Sequence, residues 1–364
     1  MKIHRCVLLL LMVAAVSDVL CAQGLNFSGT LDSRVLASVG KTASDFSMGF
    51  ETWANLRFQT QLRDYATIYG AVNLIAASGS IAAAQSLPPT AFVAGENFAA
   101  ALELERLYFR IKGEKAQLDT GLLRIPLGYS LVWGPTDFLC PPNPFLPDAR
   151  PRGLLGTSFS AYPTDALKIF AFASAPKDPL NVQGDGYITG IGVEGHGEAA
   201  SLQGFYAYET PLGDYRYGRH RGGFSLKADI EVGLTLGALY TYDPETNTSI
   251  EGLSGALGLD YSFFKGDLTL LTEYLYAGNR SSAAENLELS HNHYLDLTAL
   301  YRLNDYTRLN FSCIADMEDV FFLPILGAEW EAFQGMTLSL STQVPLYRDL
   351  FSSALITIKA RLRF

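Results

Sequence analysis

The sequence predicts an all-β fold, namely a transmembrane antiparallel up-and-down β-barrel of about 18 strands, with about 16 as the alternative. Three observations lead to this prediction. Apolar and polar residues alternate with period 2 in segment after segment. The mean hydropathy is +0.13, yet after residues 1–22 no apolar run reaches the roughly 20 residues of a membrane-spanning helix. Short polar turns and longer connections alternate along the chain, as in transmembrane barrels.

The composition excludes two classes of protein. Of the 364 residues, 48% are hydrophobic, which excludes wholesale disorder. The formal net charge is −10 at pH 7, and such a chain is not expected to bind nucleic acid, because affinity for phosphate needs a basic surface. Only 18% of the residues are charged, against roughly 25% in soluble domains. The low charge content agrees with a membrane protein.

The N-terminus carries the pattern of a secretory signal peptide. A basic start is followed by an apolar stretch at 6–16 and then by Ala22, a small residue suited to cleavage. We therefore expect residues 1–22 to be removed and residues 23–364 to form a single barrel domain. Lipid attachment at Cys21 is the alternative, although the two residues before it are larger than that modification prefers.

The strand segments are long and strictly patterned. Between residues 46 and 59, Phe50 and Leu56 lie on one face of an extended chain, and Glu51 and Asn55 lie on the other. Segments of about 10 to 14 residues suit tilted strands that cross a bilayer, whereas strands of soluble sheets usually have about 5–6. The predicted strands are 25–38, 47–63, 65–78, 98–112, 115–127, 154–162, 166–175, 186–195, 199–209, 221–230, 233–242, 250–263, 267–277, 293–303, 306–315, 319–332, 335–345 and 353–364.

One predicted strand, 98–112, changes phase in its middle. Leu104 lies on the apolar face, but from Leu107 onward that face continues with the opposite parity. Glu103 and Glu105 lie next to the change. A β-bulge, which places one extra residue in one strand of a pair, accounts for the shift. A functional pair of acids is the alternative.

The connections between strands differ in length on the two sides of the barrel. Short turns such as Asn304-Asp305 and Gln334-Gly335 alternate with longer connections. This asymmetry predicts periplasmic turns and external loops, and an even strand number then places both termini on the periplasmic side. The longer connections are 79–97, 128–153, 176–185, 210–220, 243–249, 278–290 and 346–352.

The charged residues of the strands lie on the polar face. Because lipid offers no hydrogen-bond partners, this face is expected to line the lumen. A soluble barrel would instead turn its apolar face inward, but with this many strands its interior would be too wide for side chains to fill. The candidate lumen charges are Arg57, Asp296, Arg302, Glu329, Lys359 and Arg361.

The loop 128–153 follows the fifth strand and is therefore the third external loop. Its prolines restrict the path of the backbone. In position and length it resembles the third loop of porins, and Trp133-Gly134 and Asn143-Pro144 extend the resemblance to porin-like barrels. The resemblance implies that the loop folds into the lumen as a constriction; an ordinary external loop stiffened by proline is the alternative. The candidate constriction residues are Asp137, Asp148, Arg150 and Arg152.

The last strand carries the most specific motif. Apolar residues alternate with polar ones from Ala354 to Leu362, and the chain ends in Phe364. This ending resembles that of bacterial outer-membrane β-barrel proteins. The resemblance implies that Phe364 is a signal for the barrel-assembly machinery.

A barrel of this size leaves an aqueous lumen. Together with the resemblance, it predicts a porin-like channel of the bacterial outer membrane for passive diffusion of small hydrophilic solutes. The alternative is a surface-exposed adhesin or ligand-binding protein that uses the external loops. The expected partners are the lipid bilayer, the assembly machinery and small solutes; a homo-oligomer is implied by the resemblance alone. The sequence contains no catalytic, cofactor or metal-ligand motif, so we expect no enzymatic activity, no cofactor and no metal.

Overall fold

The structure is a computed structural model that describes residues 24–42, 45–79, 93–145, 153–175, 186–211, 217–245, 249–347, 350–351 and 353–364. The signal peptide predicted at residues 1–22 lies outside these ranges. No helix among the described residues is long and apolar enough to cross a membrane.

Within the described residues, 18 strands form a closed antiparallel barrel, which confirms the predicted fold and strand number. Each strand pairs with its neighbours in the chain, and the last strand pairs with the first. Three further segments of two residues each lie in loops. The strands are β1 (Asn26–Gly40), β2 (Ser47–Arg63), β3 (Ala66–Ser78), β4 (Phe98–Lys112), β5 (Ala116–Leu123), β6 (Leu154–Thr164), β7 (Leu167–Ser174), β8 (Ile188–His196), β9 (Ala200–Glu209), β10 (Arg219–Asp229), β11 (Gly233–Tyr242), β12 (Leu253–Phe263), β13 (Leu268–Ala277), β14 (His293–Arg302), β15 (Thr307–Asp316), β16 (Phe321–Phe333), β17 (Met336–Gln343) and β18 (Ser353–Arg363).

The outer surface of the barrel is apolar, and its inner wall carries the polar side chains. On β2, Met48 and Phe50 are 58% and 46% exposed, whereas Glu51 and Asn55 are fully buried. Exposed apolar side chains in such number are unfavourable in water and favourable in lipid. The predicted assignment of the two faces is therefore confirmed.

The predicted β-bulge is present in β4. In the pairing of β3 with β4, Ala71 is opposite Arg106 and Val72 is opposite Leu104, so Glu105 is the extra residue. The bulge turns both Glu105 and Arg106 toward the lumen and reverses the phase of the residues that follow. Glu105 accepts a hydrogen bond from the Asn55 amide at 2.6 Å.

The ends of the chain close the barrel. Backbone hydrogen bonds join Gly29 and Phe364 in both directions, at 2.8 and 3.1 Å. On the inner face, Arg361 of β18 donates to both carboxylate oxygens of Asp32 on β1, at 2.7 and 2.8 Å. The seam between the first and last strands is thus held by backbone and side-chain hydrogen bonds.

Short turns lie at one end of the barrel and longer loops at the other. Two of the longer loops are L3 (124–153), between β5 and β6, and L7 (278–292), between β13 and β14. L7 contains helix α1 (Ser282–Leu287). The predicted fifth strand extended to residue 127, but β5 ends at Leu123. Pro126 has no N–H to donate to a strand ladder, and the chain leaves the wall just before it.

Candidate pore site

L3 begins by packing against the inner wall of the barrel. Leu123 at the end of β5 and Ile125 and Leu127 at the start of L3 are at most 4% exposed. They belong to one apolar cluster with side chains of β7, β9 and β11. The inner wall is therefore apolar where L3 covers it, which corrects the expectation of a polar face throughout. The wall residues of this cluster include Phe170, Phe172, Phe205 and Leu239.

A sharp turn then redirects L3 into the lumen. Gly128 has a φ of +86°, and a Cβ at this position would lie 1.9 Å from Thr136 Oγ1. Its N–H donates to Gln203 Oε1 on β9 at 2.7 Å. Thr136 Oγ1 donates back to the Leu127 carbonyl at 3.2 Å. Only glycine fits this turn, because it needs both a left-handed conformation and a close approach.

Tyr129 joins L3 to the wall through both its side chain and its backbone. Its hydroxyl donates to Glu194 Oε1 on β8 at 2.5 Å, and its backbone N–H donates to Ser225 Oγ on β10 at 3.0 Å. Lys168 of β7 donates to the other Glu194 oxygen at 2.8 Å. Burial and the bond to Glu194 raise the pKa of Tyr129, so the phenol remains a donor.

Glu273 of β13 also anchors L3 to the wall. Its carboxylate accepts hydrogen bonds from three consecutive backbone N–H groups of L3: Leu131 at 2.7 Å, Val132 at 3.2 Å and Trp133 at 2.8 Å. The Trp133 indole Nε1–H also donates to the Glu273 carbonyl, at 3.2 Å. Four hydrogen bonds thus join this short segment of L3 to one residue of the wall.

Trp133 is fully buried at the centre of a second apolar cluster. Its ring lies 5.8 Å from that of Phe145, farther along L3, and 5.6 Å from that of Tyr294 on β14. Ala283 and Ala284 of α1 belong to the same cluster. L7 therefore packs on L3 inside the mouth of the barrel.

Arg221 of β10 is a polar link between the wall and both loops. Its Nε donates to Ser282 Oγ of α1 at 2.9 Å, and its guanidinium lies 4.8 Å from the ring centre of Phe138 in L3. Glu209 on β9 pairs with the same guanidinium at 2.6 Å. The side chain is only 5% exposed, so the arginine is held rigidly where the two loops meet.

The wall across the lumen from Glu273 carries charges of both signs. In a barrel of 18 strands, β4 is nine strands from β13, which is half the circumference. Between β4 and the barrel seam, Arg34 of β1 forms an ion pair with Glu51 of β2, and Lys359 of β18 is the cross-strand neighbour of Arg34. Arg57 is exposed, and its Nε donates to the side-chain oxygen of Asn55, an uncharged group, at 2.7 Å. L3 and this charged wall face each other.

The structure places the predicted lumen charges in three different settings. Asp296 lies beside Glu273 and is 1% exposed, and it accepts hydrogen bonds from Thr298 and Ser312 at 3.0 Å. Arg302 is the last residue of β14, at the rim of the barrel, and pairs with Asp267 at 2.6 Å. The remaining four occupy inner-face positions of β2, β16 and β18: Arg57, Glu329, Lys359 and Arg361.

The predicted constriction residues are only partly within the described chain. Asp148, Arg150 and Arg152 lie outside it. Asp137 is 9% exposed, and its Oδ1 accepts from the Cys140 N–H at 3.1 Å. Burial raises the pKa of Asp137 to about 7, although the Cys140 N–H and the Arg124 charge oppose the rise. Asp137 is therefore buried within L3, where its hydrogen bond to Cys140 stabilises the loop.

Sequence reasoning missed Glu273 and Glu194, the two acids that anchor L3. Glu273 is the one charged residue in the sequence of β13, Leu268–Ala277. A single acid in an otherwise uncharged strand was an available signal. Its partners, however, lie about 140 positions earlier in the chain, and no local pattern connects them.

No protein-family model matches the chain, and no curated protein matches it in sequence. Solved structures match over nearly its whole length. The Pseudomonas aeruginosa outer membrane protein OpdK matches with a TM-score of 0.61 at 9% identity, covering 94% of this chain and 99% of that one. Acinetobacter baumannii OccAB4 matches with a TM-score of 0.59 at 12% identity, covering 94% and 98%. Pseudomonas aeruginosa OpdQ matches with a TM-score of 0.57 at 10% identity, covering 93% and 98%.

At these identities the likeness shows the fold. The chain is a transmembrane antiparallel β-barrel of 18 strands, as the alternation predicted. It shares this architecture with OpdK, OccAB4 and OpdQ.

Proposed function

We propose that this protein is an outer-membrane channel for the passive diffusion of small hydrophilic solutes and that L3 is its constriction. The observation that carries the proposal is the position of L3 inside the barrel. The loop is hydrogen-bonded there to inner-wall residues from β8 to β13. A barrel of 18 strands encloses an aqueous lumen unless something fills it. A loop fixed on one side narrows that lumen and leaves a path on the other.

The path runs between L3 and the wall formed by β18 and β1–β4. Arg57, Lys359 and Arg361 occupy inner positions on this wall, where Asp32 pairs with Arg361 and the buried Glu51 pairs with Arg34. Fixed charges of both signs in a narrow aqueous pore act on a solute's charge and dipole. These side chains, with the edge of L3, would select among small polar solutes.

The alternative of a barrel that displays its loops fits the structure less well. A display protein needs loops that project outward. L3 and L7 instead pack together against the inner wall, with Trp133 and α1 in one buried cluster. Their residues are therefore used inside the barrel.

Two further expectations belong to the same proposal. Phe364 is 58% exposed at the end of β18, where the assembly machinery would recognise it before the barrel closes. Assembly of several copies in the membrane is carried over from the resemblance to porins. The proposed activity includes no covalent chemistry.

The test is single-channel recording of the refolded protein without residues 1–22 in a planar lipid bilayer. We expect discrete, stable openings, and we expect liposomes that contain the protein to swell in small sugars but not in large ones. Heat-modifiable gel mobility establishes beforehand that the barrel is folded. A folded barrel that neither conducts ions nor admits small sugars would contradict the proposal.

A further inference from the structure

We propose that Glu273 is the positioning residue that holds L3 in the lumen and thereby sets the open area of the channel. This inference rests on the proposed function, because it concerns the same loop. It adds a specific residue and a mechanism: a single carboxylate on the wall binds three backbone N–H groups of the loop. We call this set of contacts, between Glu273 and Leu131–Trp133, the L3 latch.

The chemistry of the L3 latch depends on a carboxylate. Both oxygens of Glu273 are used: Oε2 accepts from Leu131 and Val132, and Oε1 accepts from Trp133. Hydrogen bonds to an ionised acceptor are roughly twice as strong as those between neutral groups. A glutamine at this position would keep one acceptor oxygen and turn an NH₂ donor toward the N–H donors of the loop.

The surroundings of Glu273 explain why its carboxylate needs the hydrogen-bond donors of L3. The side chain is 1% exposed, and its cross-strand neighbour is another buried acid, Asp296. A buried carboxylate beside a second acid is unfavourable unless strong hydrogen bonds compensate for the lost hydration. The three N–H groups of L3 supply that compensation, and lumen water would supply it if the loop detached.

A glycine in the wall allows L3 to approach Glu273 closely. Gly258 of β12 lies beside the latch, and a Cβ there would lie 3.1 Å from Glu273 Oε2 and 3.1 Å from Leu131 Cδ1. The same Cβ would lie 2.4 Å from Thr235 Oγ1. The absence of a side chain at Gly258 therefore leaves room for both halves of the latch.

The first readout of the latch is conductance. We expect Glu273→Gln and Glu273→Ala to raise the mean single-channel conductance and the open-channel noise, because L3 leaves the wall for part of the time. Asp260→Asn is the matched control: it removes one carboxylate from the inner face of the neighbouring strand β12, and within the described chain no hydrogen bond joins Asp260 to L3. We expect D260N to keep wild-type noise. Wild-type conductance and noise in both Glu273 variants would overturn the proposal.

The second readout does not depend on conduction. The chain has three tryptophans, and Trp133 is the one in L3. With Trp53→Phe and Trp330→Phe as the background, we expect Glu273→Gln to shift Trp133 emission to the red and to increase its quenching by acrylamide. If Trp133 becomes accessible although the wild-type barrel does not conduct, the latch stands and the channel function fails.

If instead the wild type conducts while Trp133 stays shielded in both Glu273 variants, the latch is wrong and the channel function stands. Each variant is first checked for heat-modifiable mobility, which reports on the strand ladder and not on L3. Glu273→Gln preserves the size of the side chain, so it carries the test even where the alanine variant does not fold.

Discussion

Replacing Trp133 by alanine should release L3 from the wall while the barrel remains folded. The indole is fully buried, contacts two aromatic rings and donates one hydrogen bond to the wall. Truncation of a buried Phe or Trp to Ala typically costs about 3–5 kcal/mol. Within that total, the hydrogen bond contributes about 1 kcal/mol and each aromatic pair about 0.5–1.5 kcal/mol.

Because Trp133 lies in a loop and not in the strand ladder, this loss falls on the equilibrium between seated and detached L3. A change of about 3–5 kcal/mol shifts that equilibrium by roughly two to four orders of magnitude. The expected result is a larger and noisier single-channel conductance, with an unchanged temperature for heat-modifiable mobility. Trp133→Phe keeps most of the packing and should shift the equilibrium by only about one order of magnitude.

Trp330→Ala is the control for this experiment. Trp330 is also an aromatic residue of the barrel, but it is 51% exposed on the outer face of β16. Its removal should leave conductance and noise unchanged. If W133A conducts like the wild type and like W330A, then Trp133 does not hold L3 and the interpretation of its burial is refuted.

Two further predictions concern charge and pH. Arg57→Glu should shift the reversal potential in a salt gradient toward cation selectivity, because Arg57 is exposed in the proposed path; Arg302→Glu, at the rim, is the control and should shift it less. An equal shift in both variants would argue against a path along β2. Burial raises the pKa of Asp137 from its ordinary value of 3.8 to about 7, so seated L3 holds a proton that detached L3 releases. The seating of L3 should therefore weaken as the pH rises from about 4 to about 7 and then level off. Asp137→Asn should remove this dependence of Trp133 quenching on pH, and persistence of the dependence would assign it to another group.

The strand number and the two faces could be predicted because a transmembrane strand must obey one simple rule along its length. Lipid tolerates no unpaired polar group, so alternation persists even where local propensity is weak. The same rule predicted a bulge where Leu104 gives way to Leu107, because an added residue reverses the phase of a continuous strand, and the structure identifies Glu105 as that residue. These features are local, and local patterns survive in a single sequence.

The end of β5 shows where the rule becomes ambiguous. The predicted strand ran through residue 127, and Leu123, Ile125 and Leu127 do alternate with Arg124 and Pro126. Their parity, however, is that of the polar residues Gln117 and Asp119 and not that of Leu118 and Leu122. In the structure these side chains are buried inside the barrel by L3's own apolar cluster. Alternation reports that one face is apolar, but it does not report whether lipid or protein covers that face. The missing N–H of Pro126 was the better guide to the strand end.

The position of a charge along the pore axis was also beyond the reach of the sequence. Asp296 and Arg302 have the same parity on β14 and both were predicted to line the lumen. One is buried beside the L3 latch, and the other forms an ion pair at the rim. Alternation with period 2 assigns a side chain to one face of the barrel wall. Its position along the pore axis depends on the strand register, and its burial depends on loops from elsewhere in the chain.

The packed positions of L3 and L7 inside the barrel depend on each other. Helix α1 has only six residues, and a helix so short is not stable in water by itself. Its alanines pack in the cluster around Trp133, and Ser282 binds Arg221. In the described part of L3, the N–H groups of Gly128, Leu131 and Trp133 donate to side chains of the wall. Each loop is therefore ordered by the packing surface that the other completes, and a change that unseats L3 removes the support on which α1 rests.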